Sequence, residues 1–146
     1  VNVTMLLCDS AQLAEGKLYI LGGGWSVTGP MPVPSAVALK LEVDWHELAR
    51  DHHWELFLED ADGRPVMVET AEGEQPVELR GDFHVGQPQG VPEGSPVDLP
   101  MALNLPPFQL APGSRYTWRF TVDGESLPGA SVSFSTRPAE APATES

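Results

Sequence analysis

Arg115-Tyr116-Thr117-Trp118-Arg119-Phe120-Thr121-Val122-Asp123-Gly124 is the stretch that decides the fold class. Tyr116, Trp118, Phe120 and Val122 alternate with Thr117, Arg119, Thr121 and Asp123. That period of two is the mark of a strand with one buried face. Asp123-Gly124 then predicts a tight turn, since both residues tolerate positive φ. The same alternation recurs at Val37, Leu39, Leu41 and Val43, and at Val77, Leu79, Gly81, Phe83 and Val85. Shorter runs stand at Asn2–Cys8, Lys17–Leu21, Trp54–Leu58, Pro65–Thr70 and Ser131–Thr136. Proline and glycine, 15 and 14 residues, are spread between these runs and punctuate them with turns.

Some nine strands with turns roughly every ten residues predict an all-β, two-sheet antiparallel sandwich. An immunoglobulin-like arrangement is the first choice, and a jelly roll or C2-like sandwich the second. Pro30, Pro32 and Pro34 predict an extended crossover between sheets. Pro100 places the Val97–Leu105 strand at an edge or a bulge, because proline cannot donate to a ladder. One short helix is expected from Trp45 to about Asp51, since Asp44-Trp45-His46-Glu47 has the form of a capping box. Residues 1–137 read as a single domain, and 138–146, which can bury almost nothing, as a disordered tail.

Cys8 to Val27 is the least generic stretch. It holds the only cysteine, a turn at Asp9–Gln12, a strand and Gly22-Gly23-Gly24-Trp25. Asn2–Cys8 and Lys17–Val27 are expected to form a hairpin-like pair bent at the glycines. Three consecutive glycines imply a bulge, a sharp twist or a close backbone approach. Core packing is the expected place of Trp25, but aromatic surface beside bare backbone also suits a partner. Gly22, Gly23, Gly24 and Trp25 are therefore the candidate interaction surface.

Composition narrows the function classes. Lys and Arg number 8 and Asp and Glu 21, a formal charge of −13. With its few cations scattered, such a chain repels phosphates, which argues against nucleic acid and anionic membrane as partners. A single cysteine forms no internal disulfide, and Cys8 in the apolar run Val3–Cys8 reads as a buried thiol. The chain starts without a basic region followed by a long apolar one, and no apolar run is long enough to span a membrane. The expected location is cytoplasmic.

The glycines lack the Lys-Ser/Thr of a phosphate loop. Asp60-Ala61-Asp62-Gly63 starts like a calcium loop, yet the later acidic ligands are missing, so a hairpin turn is expected. His46, His52 and His53 stand near Asp44, Glu47 and Asp51, residue types that bind transition metals. Their spacing fits no metalloenzyme pattern, and adjacent strand residues face opposite ways. No catalytic, cofactor or metal residue is assigned.

Leu7-Cys8-Asp9, Gly16-Lys17-Leu18-Tyr19-Ile20-Leu21-Gly22-Gly23-Gly24-Trp25, Asp60-Ala61-Asp62-Gly63-Arg64-Pro65-Val66, Gly73-Glu74-Gln75, Asp123-Gly124-Glu125 and Phe134-Ser135-Thr136-Arg137-Pro138 resemble a family of short proteins of uncharacterised function found largely in actinobacteria. The likeness covers nearly all the chain except the tail and implies no activity or cofactor. The expected function is a non-catalytic interaction domain that presents loops or an edge strand to a protein partner or to a second copy. The alternative is a small-ligand-binding protein or metal-dependent enzyme using the His46/His52/His53 region.

Overall fold

A computed structural model describes residues 1–139. In chain order the strands are β1 (Asn2–Cys8), β2 (Ser10–Ala14), β3 (Lys17–Leu21), β4 (Val27–Thr28), β5 (Ser35–Val43), β6 (Asp51–Asp60), β7 (Met67–Thr70), β8 (Gly73–Pro76), β9 (Glu78–His84), β10 (Val97–Leu105), β11 (Arg115–Val122) and β12 (Glu125–Thr136). A three-stranded sheet runs β1-β5-β10 and a five-stranded sheet β4-β12-β11-β6-β9. Two hairpins, β2-β3 and β7-β8, form small sheets of their own.

The alternating runs supply the core. Val37, Leu39, Leu41 and Val43 of β5 face Trp54, Leu56 and Leu58 of β6 and Tyr116, Trp118, Phe120 and Val122 of β11, all buried in one cluster. Trp54 stacks on Phe120 with ring centroids 5.7 Å apart. Fully burying such a side chain contributes roughly 1.5–3 kcal/mol. Asp123-Gly124 joins β11 to β12 with φ of 51° and 80°, so the tight turn read from the sequence has the positive φ of a primed hairpin turn. Pro100 lies on β10, which among the described residues pairs only with β5 and is an edge strand. At the start of β11 the Ala111 backbone N–H donates to the Tyr116 hydroxyl at 2.9 Å, and this fixes the corner between β10 and β11.

The two sheets close on each other where β12 bulges. Arg119 pairs with Ser131 but Thr121 pairs with Ser126, so extra β12 residues loop out opposite Phe120. This bulge brings Gly129, at φ 77°, against the backbone of β1: a Cβ there would sit 2.8 Å from the Val3 carbonyl oxygen.

Two expectations need correction. The helix expected over 45–51 is a three-residue 3-10 turn, Trp45–Glu47. Asp44 makes no side-chain cap bond, Leu48 is already extended, and Ala49 sits at φ 60°. Tertiary demands override the capping pattern, because Leu48 is buried in the core and the Ala49 N–H donates to the Val85 carbonyl at 2.8 Å. The second correction concerns pairing. β1 does not pair with β3; it pairs with β5 from Asn2↔Glu42 to Cys8↔Ala36, while β3 pairs with β2. Residues 140–146 of the expected tail lie outside the described residues.

Candidate functional site

The chain leaves the three-stranded sheet at Cys8 and joins the five-stranded sheet at β4, which pairs in parallel with the end of β12. Between these points it inserts the β2-β3 hairpin. Gly22-Gly23-Gly24 makes the return: the Gly24 N–H donates to the Leu7 carbonyl at 2.8 Å. A side chain at either of the first two positions would crowd its neighbours. A Cβ on Gly22 would run into the Asp9 carboxylate, and one on Gly23 would sit 2.8 Å from Ile20 Cγ2 and 3.2 Å from Leu6 Cδ2. The glycines are exposed to solvent on their free side. Trp25 is half-buried and packs edge-on against Phe134, with centroids 5.9 Å apart. It belongs to the core wall, and the exposed apolar surface lies next to it on the hairpin.

The hairpin forms a third layer. Ala11 and Leu18 cover Cys8, Ala36, Ala38 and Ala102 on the outer face of the three-stranded sheet, making a second, small core. Asn104 of β10 fastens it: its amide oxygen accepts the Ala11 N–H at 3.2 Å and its amide nitrogen donates to the Ala11 carbonyl at 2.8 Å. Cys8 is fully buried, and burial followed by the nearby Asp9 charge pushes its thiol pKa up, so it is no nucleophile.

This clamp also reveals the hairpin's free side. The Ala11 N–H and C=O point away from β3, so Ala11↔Ile20 is a non-hydrogen-bonded pair, and Leu13↔Leu18 shares its parity. The backbone groups of Ile20 and Leu18 therefore point out from the far edge of β3, and among the described residues they meet no hydrogen-bond partner. On the outward face of the same hairpin Tyr19 and Leu21 are 53 % and 69 % exposed, with Leu13, Ile20 and Leu6 exposed at its margin. Sequence reading centred the surface on Gly22–Trp25 and missed this neighbouring one. Its signal was the set of small residues at outward positions, Cys8, Ala36, Ala38 and Ala102, which only a covering layer explains.

The three histidines take separate roles. His53 lies on the outer face with Nδ1 2.9 Å from Asp82. His46 is exposed on the 3-10 turn, where its ring and the Asp44 and Glu47 carboxylates offer ligand atoms within 4.8 Å of one another. Those two carboxylates also contact the Val1 amino group, at 3.5 and 2.9 Å. His52 shares the inward register of Trp54, Leu56 and Leu58 and is 2 % exposed. Its Nδ1 lies 2.7 Å from Asp123 Oδ2 and its Nε2 2.8 Å from the Glu47 carbonyl, and Phe83 stacks on its ring at 4.9 Å. Both nitrogens face acceptors, which leaves no lone pair for a metal. The Asp60 carboxylate of the calcium-like stretch accepts the Asp62 and Arg64 backbone N–H groups, as a turn requires.

Burial alone pulls the His52 pKa down. Hydrogen bonds to Asp123 and the Glu47 carbonyl, with the Asp123 charge, outweigh it and set the pKa above its ordinary 6.5. Burial likewise pushes Asp123 up, but bonds from His52 and the His53 N–H hold it below 3.8. The signs follow from linkage. The His52 contribution to stability is complete below pH 6.5 and is lost as pH rises through its folded pKa. The Asp123 contribution is complete above pH 3.8 and is lost as pH falls through its own. Urea midpoints are therefore expected to fall between pH 6 and 9, and Asp123→Asn should flatten that slope. A wild-type slope matched by the variant's would show that the pair is not its source.

No helix among the described residues is long and apolar enough to cross a membrane. No curated protein and no solved structure matches the chain. A model described as a family of unknown function (DUF6941) matches residues 3–134, and the chain belongs to that family.

Proposed function

We propose that the chain is a non-catalytic interaction domain that receives an extended segment of a protein partner along the open edge of β3. One observation carries this reading: backbone groups at Leu18 and Ile20 that meet no hydrogen-bond partner among the described residues stand beside the exposed side chains of Tyr19 and Leu21. An added strand supplies the missing ladder bonds, and alternate side chains of that strand read the apolar face. A formal charge of −13 supports a protein partner over nucleic acid or an anionic membrane. The free, buried Cys8 accords with a cytoplasmic setting. The scaffold we infer is immunoglobulin-like. Support comes from the order β1-β5-β10 against β12-β11-β6-β9, from the buried Trp54 on the third strand of that arrangement, and from the Tyr116 hydroxyl bonded to Ala111, which has the form of a tyrosine corner.

The test uses paired baits, the wild-type chain and a Tyr19→Ser/Leu21→Ser chain, in quantitative affinity capture from the source cells. Both side chains are exposed, so the variant keeps its fold. Removing an aromatic anchor and a neighbouring apolar contact is expected to reduce specific capture at least roughly tenfold. Equal recovery on both baits, or no specific recovery on the wild type, sinks the reading.

A further inference from the structure

At the opposite end of the three-stranded sheet from the hairpin, His52 joins three segments that are distant in sequence. It starts β6, it reaches the β11–β12 turn through Asp123, and it reaches the segment after β5 through the Glu47 carbonyl. The ring is enclosed on its remaining side by Phe83 of β9.

The geometry allows full satisfaction of this site in only one protonation state. A neutral imidazole carries one N–H and one lone pair. Here Nδ1 faces a carboxylate at 2.7 Å and Nε2 a carbonyl at 2.8 Å, so either neutral tautomer sets a lone pair against an oxygen. An imidazolium donates to both. We propose that His52 is held as an imidazolium and works as a pH-sensitive latch, whose deprotonation loosens the 3-10 turn carrying the Glu47 carbonyl while leaving the Asp123 turn in place.

The direction of release follows from the strengths of the two bonds. A charged acceptor holds a donor more strongly than a neutral one. On losing one proton the ring keeps Nδ1–H on Asp123 and presents its Nε2 lone pair to the Glu47 carbonyl. Asp123 has two further anchors, the His53 N–H at 2.9 Å to its carboxylate and its own N–H to the His53 carbonyl at 2.7 Å. The Asp44–Arg50 segment is tied elsewhere by buried Leu48, by the Ala49 N–H on the Val85 carbonyl and by Asp44 and Glu47 on the Val1 amino group, so it is the turn carrying the Glu47 carbonyl that yields. It is a 3-10 turn of three residues followed by an extended Leu48 and a positive-φ Ala49, with no long helix to resist displacement. A polar cavity of about 200 Å³ lined by Glu47, Arg50, Asp123 and Glu125 adjoins the latch and gives the turn room.

The charged neighbours set the balance. Asp123 from the β11–β12 turn favours the protonated ring, and Arg50 from the Asp44–Arg50 segment opposes it. Glu125 of β12 lines the cavity, and the Glu47 carboxylate is turned to the Val1 amino group. β9 contributes only the uncharged Phe83 against the ring, since its Asp82 faces His53 on the outer side.

Ring-nitrogen NMR of the full chain tests the latch. At pH 6 both His52 nitrogens are expected to be protonated, with loss of the Nε2 proton at a midpoint above 6.5. Hydrogen exchange, corrected for the intrinsic pH dependence, is expected to show protection of residues 44–50 falling in step with that titration. The fall should approach roughly tenfold per pH unit between pH 6.5 and that midpoint and level off above it, while residues 122–126 keep theirs. Asp123→Asn should bring the midpoint down. A His52 that is neutral at pH 6, or one that titrates without a change in exchange over 44–50, overturns the proposal. The wild-type measurements decide the matter alone should the variant fail to fold.

Discussion

Replacing Gly129 with alanine is expected to destabilise the chain by about 2–5 kcal/mol. Two costs combine. Gly129 holds φ at 77°, and left-handed backbone costs an L-residue roughly 1–2 kcal/mol. The new methyl would also sit 2.8 Å from the Val3 carbonyl oxygen, a backbone atom on the outer edge of β1 that cannot swing aside because its strand is held by pairing with β5. Forcing atoms into a packed site costs roughly 1–3 kcal/mol. The matched control is Gly124→Ala. Gly124 has φ 80° but nothing within 4 Å of a Cβ, so it carries only the backbone cost. Urea melts of the two variants check this, and the difference between them measures how firmly the β12 bulge closes the sandwich on β1. Equal midpoints would mean that the two sheets are not in contact there.

The second large effect concerns the hairpin layer. Asn104→Leu keeps the side chain's bulk but removes the donor and the acceptor that hold Ala11, which is 1 % exposed. A buried polar group left unpaired costs roughly 1–3 kcal/mol. Two such groups, with water able to enter from the exposed Asn104 side, give an expected loss of about 2–3 kcal/mol. The loss should be local: amide exchange accelerates in 9–24 while β6 and β11 keep their protection. Asn104→Asp retains an acceptor for the Ala11 N–H and loses the donor to its carbonyl, so an intermediate effect is expected. A uniform loss of protection across both sheets would show that the hairpin is not a separable layer.

These outcomes bear on how much the sequence disclosed. Alternation at Val37–Val43 and Tyr116–Val122 was legible because each strand buries one face against a single core. The turn at Asp123-Gly124 was legible because its requirement for positive φ is local. Partners were not. β1 meets β5 across some thirty residues, and nothing in Asn2–Cys8 tells it from the nearer candidate, Lys17–Leu21. The capping pattern at Asp44–Glu47 misled because a buried Leu48 and a hydrogen bond from Ala49 to Val85 outweigh the propensity of one helical turn. His52 was within reach, since it keeps the parity of Trp54, Leu56 and Leu58, but its partner Asp123 lies 71 positions away. For the candidate surface, the glycines marked a close backbone approach, where the Gly24 N–H meets the Leu7 carbonyl. The open edge beside them could be seen only once the Asn104 clamp had fixed the hairpin's hydrogen-bonding parity.

The proposed function places a partner over the β2-β3 hairpin. Site-specific photo-crosslinking in the source cells tests it most directly. A photoreactive phenylalanine analogue replaces Tyr19 on the exposed hairpin face, and as a control it replaces Glu93 in the exposed loop before β10. A discrete covalent adduct to a protein, or to a second copy of the chain, is expected from position 19 and none from position 93. Adducts from position 93 alone, or from neither position, would contradict it.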